Sequence, residues 1–310
     1  MAANTGRHSV PPPHGGRAAS LSAGQAVLLG LLTLCWGFNW PMMKVGVAEV
    51  PPLTFRAASL LLGVPVLGCA LALLKVPFAV PRRHWPELLL LTLTNMLIWH
   101  VCIIIAVKAL PSGRAAILAY TMPVFSAVIG AWLFHVSLTA HAWLGVAAAA
   151  LGVLLLLWHE LTGLAGSPAG VLIVLPAAAT WALGTHLLRR TSICLPTLTL
   201  AFWMTLLTSI AVLVLALSLE RPPLHAPPAL AWFALVYNAV LIFGFAHAAW
   251  FELARSLPPV ASTVSVMLIP VLGVFSGAFF LGEVLHWQDG AAVALMVLAI
   301  AAVLWPRSEA

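Results

Sequence analysis

Long apolar runs alternate with short polar breaks along nearly the whole chain. Prolines and charged residues mark the breaks, among them Pro51-Pro52, Arg82-Arg83 and Pro111. Apolar residues within the runs do not alternate strictly with polar ones, which favours helices over the strands of a membrane barrel. The pattern predicts an all-α integral membrane protein of about ten transmembrane helices, at 24–45, 53–74, 86–108, 112–134, 138–158, 168–189, 196–219, 229–254, 258–281 and 287–305.

Composition excludes a soluble fold. Of the 310 residues, 63% are hydrophobic and only 7% are charged, whereas soluble domains carry roughly 25% charged residues. Lipid must therefore be the solvent, and helices satisfy every backbone polar group there. The four cysteines are dispersed without paired spacing, so we interpret them as small apolar residues rather than as disulfides or metal ligands.

The net charge of +6 is interpreted as a topology signal, because the cations lie near the ends of the apolar runs. An even number of spans places both termini on one side of the membrane. If that side is the cytoplasm, it carries the excess of Lys and Arg, and we therefore predict cytoplasmic termini. The opposite side then holds Lys44, Arg56, Lys108, Arg114 and Arg221. Residues 1–22 are rich in Pro, Gly, Ser and Arg and are predicted to form a disordered tail.

The second half of the chain repeats the first. A displacement of 145 positions carries Trp36 onto Trp181. Further along, a displacement of 147 positions superimposes matched residues without a gap: Trp85 on Trp232, His100 on His247, Lys108 on Arg255 and Pro123 on Pro270. Apolar stretches often align by chance, but matched Trp, His, Pro and cationic positions rarely do.

Each repeat contains five spans, so the two copies must insert with opposite orientation. Inverted repeats are the architecture of secondary transporters, which hold their substrate near the membrane midplane between the halves. We predict five-helix repeats over 23–160 and 165–306 around a central cavity, and transport by alternating access.

Several segments resemble the drug/metabolite transporter (DMT) superfamily in its EamA-type ten-helix form. In the first half they are Cys35-Trp36-Gly37-Phe38-Asn39, Pro51-Pro52-Leu53-Thr54-Phe55 and Tyr120-Thr121-Met122-Pro123-Val124-Phe125. In the second half they are Thr180-Trp181-Ala182-Leu183-Gly184, Ile269-Pro270-Val271 and Leu281-Gly282-Glu283. The resemblance covers the chain outside the tail.

Within that family, one run is similar to its equivalent in YddG-type amino-acid exporters: Phe243-Gly244-Phe245-Ala246-His247-Ala248-Ala249-Trp250. The resemblance implies export of amino acids or similar metabolites across a bacterial inner membrane, and we predict amino acids, aromatic or apolar ones among them, as the substrates. It also implies a cavity lined by helices 1, 3, 4, 6, 8 and 9. An arginine common early in helix 2 of the family would fall near Ser59, whereas Arg56 lies about one turn earlier.

Aromatic and polar residues share faces of the helices that this resemblance places at the cavity. An amide or hydroxyl beside an indole suits an amphipathic ligand, and helix packing with inter-helix hydrogen bonds is the alternative. We predict that six such residues bind substrate, in pairs at helical spacing: Trp36 with Asn39, Asn95 with Trp99, and Trp181 with Thr185.

His100 and His247 lie within spans and are related by the repeat. An ionisable group in a membrane usually faces the bundle interior or a watery cavity. Substrate bonding or proton handling is the functional interpretation, and a neutral histidine bonded to a neighbouring helix is the structural one. We predict that both residues contact substrate.

Two prolines lie inside spans at matched positions, Pro123 and Pro270. Proline removes a backbone hydrogen bond and kinks a helix, so we predict hinges at both positions; a static kink is the alternative. Tyr120 and Met122 flank the first proline and are predicted to contact substrate.

The sequence has no Walker loop, Gly-rich nucleotide fingerprint or paired metal-binding run. We therefore predict a transporter without enzymatic activity, cofactor or bound metal. The predicted partners are a small-molecule substrate and the lipid bilayer rather than nucleic acid, and a monomer is the expected state. A drug or other metabolite carrier of the same fold is the first alternative, and a membrane-embedded enzyme or sensor is the second.

Overall fold

The computed structural model describes residues 23–135, 137–162, 167–221, 226–256 and 259–304. This part of the chain contains no strand and forms ten helices: α1 Ala23–Glu49, α2 Pro52–Leu73, α3 Arg82–Ala109, α4 Ser112–Phe134, α5 Ala140–Thr162, α6 Pro168–Arg189, α7 Thr197–Leu219, α8 Ala229–Ala254, α9 Pro259–Leu281 and α10 Trp287–Leu304. The first eight are long and apolar enough to cross a membrane, and α9 and α10 contain shorter apolar stretches. The all-α fold of about ten helices is confirmed, while the tail over 1–22 lies outside the described residues.

Prolines determine where several helices begin. Pro51, Pro111, Pro196 and Pro228 each directly precede a helix and have extended backbone conformations. Proline has a fixed φ, has no N–H and disfavours the helical conformation in the residue before it. These residues therefore favour the start of a helix directly after them. None of the four provides a side-chain cap for the first N–H groups of its helix.

The helices pack in pairs that a twofold rotation would exchange. Helix α1 packs against α9 as α6 packs against α4, and α3 packs against α6 as α8 packs against α1. Helix α2 packs against α7, and α5 against α10, which are matched helices of the two halves. This is the arrangement expected of two repeats inserted in opposite orientation. We call the end of the bundle where α1 finishes the Glu49 end, and the opposite end the Arg82 end.

Large apolar side chains cover the outside of the bundle. Trp132 and Phe279, for example, are each 83% exposed. A soluble monomer rarely exposes wide apolar patches, but lipid solvates them without cost. Together with the helix lengths, this surface defines a multi-pass membrane protein.

Two carboxylates from the second half cap helices of the first half at the Glu49 end. Glu220 accepts the N–H groups of Leu53 at 2.8 Å and of Thr54 at 2.7 Å, at the start of α2. Glu283 accepts the N–H of Ser112 at 2.7 Å, at the start of α4. Because the preceding prolines leave these N–H groups uncapped, the carboxylates supply acceptors that the local sequence lacks.

Replacing Glu220 with alanine is expected to lower the free energy of unfolding by about 1–2 kcal/mol. Two backbone N–H groups and the hydroxyl of Thr54 would lose their acceptor. Glu49→Ala is the matched control, because Glu49 is an exposed carboxylate at the same end. Unfolding of both purified variants in mixed micelles with increasing sodium dodecyl sulfate measures the difference. Equal stability of the two variants would rule out a capping role.

Arg114 forms a buried ion-pair cluster at the Glu49 end. Its Nε donates to Asp289 Oδ1 at 2.6 Å, and its Nη1 donates to Glu160 Oε1. Glu160 also accepts the N–H of Ser167 at 2.6 Å. The side chains of Arg114, Glu160 and Asp289 are only 4–8% exposed. The cluster therefore ties α4, α5 and α10 to the start of α6.

Four cations that charge counting assigned to the outer side have bonding partners in the fold. Arg56 and Arg114 are buried, at 1% and 7% exposure. Lys44 Nζ donates to the carbonyl of Leu110 at 2.7 Å, and the exposed Lys108 donates through Nζ to that of Val47 at 2.5 Å. These four residues therefore have structural partners, and their role as topology signals stays a prediction.

Candidate functional site

A cavity of about 40 Å³ lies at the centre of the bundle. Side chains of α1, α2, α3, α4, α6 and α8 line it. The expected contribution of α9 is not found among the side chains that the structure describes, and α2 contributes through Arg56. The cavity thus lies between the two halves of the chain.

Most of the predicted site residues meet at this cavity. Eight of the ten predicted substrate-binding residues line it: Trp36, Asn39, Trp99, His100, Tyr120, Met122, Trp181 and His247. Sequence reasoning missed five further lining residues: Trp40, Met43, Arg56, Ile103 and Ile242. Asn95 and Thr185 do not line the cavity.

Indole rings form an aromatic wall. The ring centroid of Trp181 lies 4.8 Å from that of Trp99 and 6.4 Å from that of Trp36. Trp36 also lies 5.5 Å from Trp250, which the sequence did not single out. Offset and edge-on arrangements at these distances are favourable, so the rings hold one another in place and present a large apolar surface.

The two histidines of the repeat face each other. Their ring centroids are 5.0 Å apart, and each residue is only 2% exposed. His247 Nδ1–H donates to the carbonyl of Ile242 at 2.9 Å, which leaves Nε2 as an acceptor. That Nε2 atom and both ring nitrogens of His100 have no hydrogen-bond partner in the described part of the protein.

π-helical segments precede both histidines. They are Leu93–Leu97 in α3 and Asn238–Ala246 in α8. The displacement of 147 positions carries 93–97 onto 240–244, inside the second segment. π-helical turns are rare and occur frequently at functional sites. Their matched positions indicate that this irregularity belongs to the design of both halves.

Arg56 is the main functional candidate that sequence reasoning missed. Its Nη1 donates to Asn238 Oδ1 at 3.4 Å, and its Nη2 lies 2.8 Å from Met43 Sδ. Its Cζ lies 5.5 Å from the ring centroid of Phe243. The resemblance gave one signal, an arginine expected early in helix 2, but a cation near a helix end is also the usual form of a topology signal.

Asn95 and Thr185 require a correction. Asn95 is fully buried within the π-helical segment of α3, where its Nδ2 donates to the carbonyl of Leu91 at 3.2 Å. Its amide also packs against Gly184, where an added Cβ would lie 2.5 Å from Nδ2. Thr185 Oγ1 donates to the carbonyl of Trp181 at 3.0 Å. The first residue therefore packs α3 against α6, and the hydroxyl of the second bonds within its own helix.

The two predicted hinge prolines have different surroundings. Helix α4 is interrupted at Tyr120 and Thr121, and Pro123 lies in the first turn of the segment that follows. Helix α9 is continuous through Pro270. The matched break expected in the second half is thus not seen, and hinge motion at either proline stays a prediction.

Within the described residues, no group of three or more His, Cys, Asp or Glu side chains is placed to hold a metal ion. The chemistry at the cavity comes from indoles, imidazoles, a phenol, an amide and a guanidinium. These groups bind ligands by stacking and hydrogen bonding.

Ten apolar helices in two matched halves around a partly polar cavity form an architecture typical of membrane transporters. Residues 24–158 and 168–305 both match the EamA-like transporter family. The chain belongs to that family, as its motifs indicated, and is a membrane transporter.

Curated relatives span nearly the whole chain. The "Uncharacterized transporter YoaV" of Bacillus subtilis is 25% identical, over 83% of this chain and 89% of the relative. The "Uncharacterized inner membrane transporter YedA" of Escherichia coli is 28% identical, over 88% of each. A "Probable amino-acid metabolite efflux pump" of Salmonella typhimurium is 27% identical, over 87% of this chain and 91% of the relative. One crystal structure shares the fold, with a TM-score of 0.68 at 20% identity, over 90% of this chain and 97% of that one.

Proposed function

We propose that the protein exports amino acids, preferentially aromatic or apolar ones, from the bacterial cytoplasm across the inner membrane. The observation that carries the proposal is the meeting, in one cavity, of an indole wall with buried polar atoms that have no partner among the described residues. Relatives named probable amino-acid metabolite efflux pumps, at 26–27% identity, support it.

The unpartnered atoms suit a ligand with both donors and acceptors. Arg56 Nε is a donor, Asn39 Oδ1 and His247 Nε2 are acceptors, and a His100 nitrogen can serve as either. A buried polar group without a partner costs about 1–3 kcal/mol. The ammonium and carboxylate of an amino acid can pair with these atoms while its side chain covers the indoles. A purely apolar ligand would leave every one of them unpaired.

The size of the cavity and the ties at both ends support alternating access. At about 40 Å³, the cavity is far below the roughly 300–1,000 Å³ of ordinary ligand pockets. The Glu49 end is tied by Glu220 and Glu283. At the Arg82 end, Glu87 accepts hydroxyl hydrogen bonds from Thr191 at 2.6 Å and Ser192 at 2.8 Å. We propose that the halves 23–160 and 165–306 rock so that one set of ties opens at a time.

Both termini are proposed to be cytoplasmic, which places the Arg82 end inside. Single cysteines introduced as Arg83→Cys and Glu49→Cys in a cysteine-free background test this. An impermeant maleimide added to intact cells should label position 49 and spare position 83, which should react only after lysis. Strong outside labelling at position 83 would reverse the orientation and the direction of export.

Efflux of labelled amino acids from proteoliposomes tests the function itself. Trp99→Ala, Tyr120→Ala and Trp181→Ala should each lower the initial rate at least about fivefold, since truncating a binding hot spot costs more than about 1 kcal/mol. Trp132→Ala is the matched control, because that indole is 83% exposed on the outside of the bundle. Wild-type protein that moves no amino acid would refute the proposal. Normal transport by all three cavity variants would refute the site.

A further inference from the structure

Arg56 is a buried cation without a counter-ion. The residue is 1% exposed, and it forms no ion pair with any carboxylate of the described chain; the ion pairs found there involve Arg114 and His286. Burial of an unpaired charge is costly, and buried charges are normally paired. Such a residue inside a membrane protein marks a functional site.

The acidic residues that the structure describes are placed elsewhere. None of them lines the cavity. Glu220, which caps the start of the helix that carries Arg56, is occupied by the N–H groups of Leu53 and Thr54. Arg56 is thus the one permanently charged side chain among the described lining residues, and it gives the cavity a net positive charge.

The neighbours of Arg56 orient its guanidinium without neutralising it. The Asn238 amide oxygen, the Met43 sulfur and the Phe243 ring are all uncharged partners. Nε has no partner in the described residues, although guanidinium presents five donors in a rigid fork that matches a carboxylate. The arrangement holds the fork in place and leaves part of its bonding capacity for a ligand.

We propose that Arg56 is the counter-ion of a carboxylate on the transported molecule, so that substrates carry an anionic group whether or not they carry an ammonium. The inference deepens the proposed function and rests on it for the identity of the cavity as the substrate site. Positively charged compounds without a carboxylate are excluded, because they would place a second cation beside Arg56. This separates the protein from a carrier of cationic drugs.

Three compounds with one phenyl ring and different charges test the inference: L-phenylalanine, 3-phenylpropionate and 2-phenylethylamine. Ligand-induced thermal stabilisation of the purified full-length protein in detergent reports their binding. The two carboxylates should stabilise wild-type protein at concentrations at least about tenfold lower than the amine requires, the ratio expected for a charge-assisted hydrogen bond. This comparison needs no variant, so it holds even if substitutions at Arg56 prevent folding.

Arg56→Gln should weaken binding of both carboxylates at least about tenfold and leave the response to the amine unchanged or stronger. Arg56→Lys should retain part of the response, since the charge remains but the fork is lost. Arg82→Gln is the matched control at an exposed arginine and should bind as wild type does. If Arg56 had only a structural role, Arg56→Gln would weaken the binding of all three compounds alike. That result would overturn the inference.

The outcome for Arg56 can be told apart from that for amino-acid export. If 3-phenylpropionate binds through Arg56 but amino acids are not transported, the counter-ion role of Arg56 is supported and amino-acid export is refuted. If L-phenylalanine is exported and Arg56→Gln transports it normally, export stands and the counter-ion is refuted. Equal binding of the amine and 3-phenylpropionate to wild-type protein also refutes it.

Discussion

Replacing Arg114 with alanine should destabilise the protein by about 3–5 kcal/mol, the cost of breaking a buried ion pair by removing one partner. The change leaves Glu160 and Asp289 buried without the guanidinium that bonds to both. Unfolding of the purified protein in mixed micelles with increasing sodium dodecyl sulfate measures the free energy.

Two further variants show whether the uncompensated charge is the cause. Arg82→Ala removes an exposed arginine and should change stability by less than about 0.5 kcal/mol. Combining Arg114→Met with Glu160→Gln and Asp289→Asn removes all three charges and should recover much of the loss, as neutral replacements of buried ion pairs often do. A loss below about 1 kcal/mol for Arg114→Ala would show that the cluster is solvated.

Alanine at His100 or His247 should lower the initial rate of amino-acid efflux at least about tenfold, since each imidazole is proposed to bond substrate and the lost hydrogen bond is worth about 1–3 kcal/mol. Glutamine keeps a donor and an acceptor, so His100→Gln and His247→Gln should recover part of the rate. Proteoliposomes loaded with labelled substrate provide the measurement. If the alanine variants transport at the wild-type rate, the two histidines do not contribute to substrate binding.

The pH profile of transport should be the same in the glutamine variants as in wild type. Imidazole changes charge near neutral pH and glutamine does not, so a profile set by these residues would flatten. We expect it to persist, because the pair is proposed to contact substrate rather than to couple protons. His141→Gln, at an exposed histidine, is the control. A flattened profile in a folded variant of either cavity histidine would indicate proton-coupled antiport.

The internal repeat carried most of the information that the sequence held about the cavity. Matched residues of an inverted repeat lie at mirrored depths, so matched residues near the midplane, such as Trp36 with Trp181 and His100 with His247, lie at similar depths. The ring centroids of these pairs are 6.4 Å and 5.0 Å apart. Periodicity alone would have placed each residue on some helix face without indicating which face its partner occupied.

Asn95 shows where the shared-face argument stops. Asn95 lies against Gly184 and Trp99 lies against Trp181, so both residues face α6, as their spacing of four predicts. Trp99 lines the cavity, whereas Asn95 lies about one turn nearer the Arg82 end and does not. Spacing on one helix predicts which residues share a face, but the depth at which a cavity ends depends on the packing of several helices.

Charged residues near helix ends have roles in the fold that the sequence left open. Lys44, Arg56 and Arg114 all lie within a few residues of a helix end, where anchoring at the membrane surface and burial in the bundle look alike in sequence. Only the packed structure separates Lys44, bonded to backbone carbonyls, from Arg114 between two carboxylates and from Arg56 at the cavity. Counting the cations near the end of a transmembrane helix therefore does not indicate the structural role of each cation.

The paired π-helical segments give the transporter a way to change its lining without moving its helix ends. Each segment stores a surplus residue, and i→i+5 hydrogen bonds can be exchanged for i→i+4 bonds one turn at a time. A surplus residue that migrates past a side chain turns it by about 100°, the angular step of one residue. His247 directly follows the second segment, and His100 lies three residues beyond the end of the first. Migration of the surplus residue would thus rotate the polar groups of the cavity about the helix axis, while the carboxylate caps at the Glu49 end stay closed.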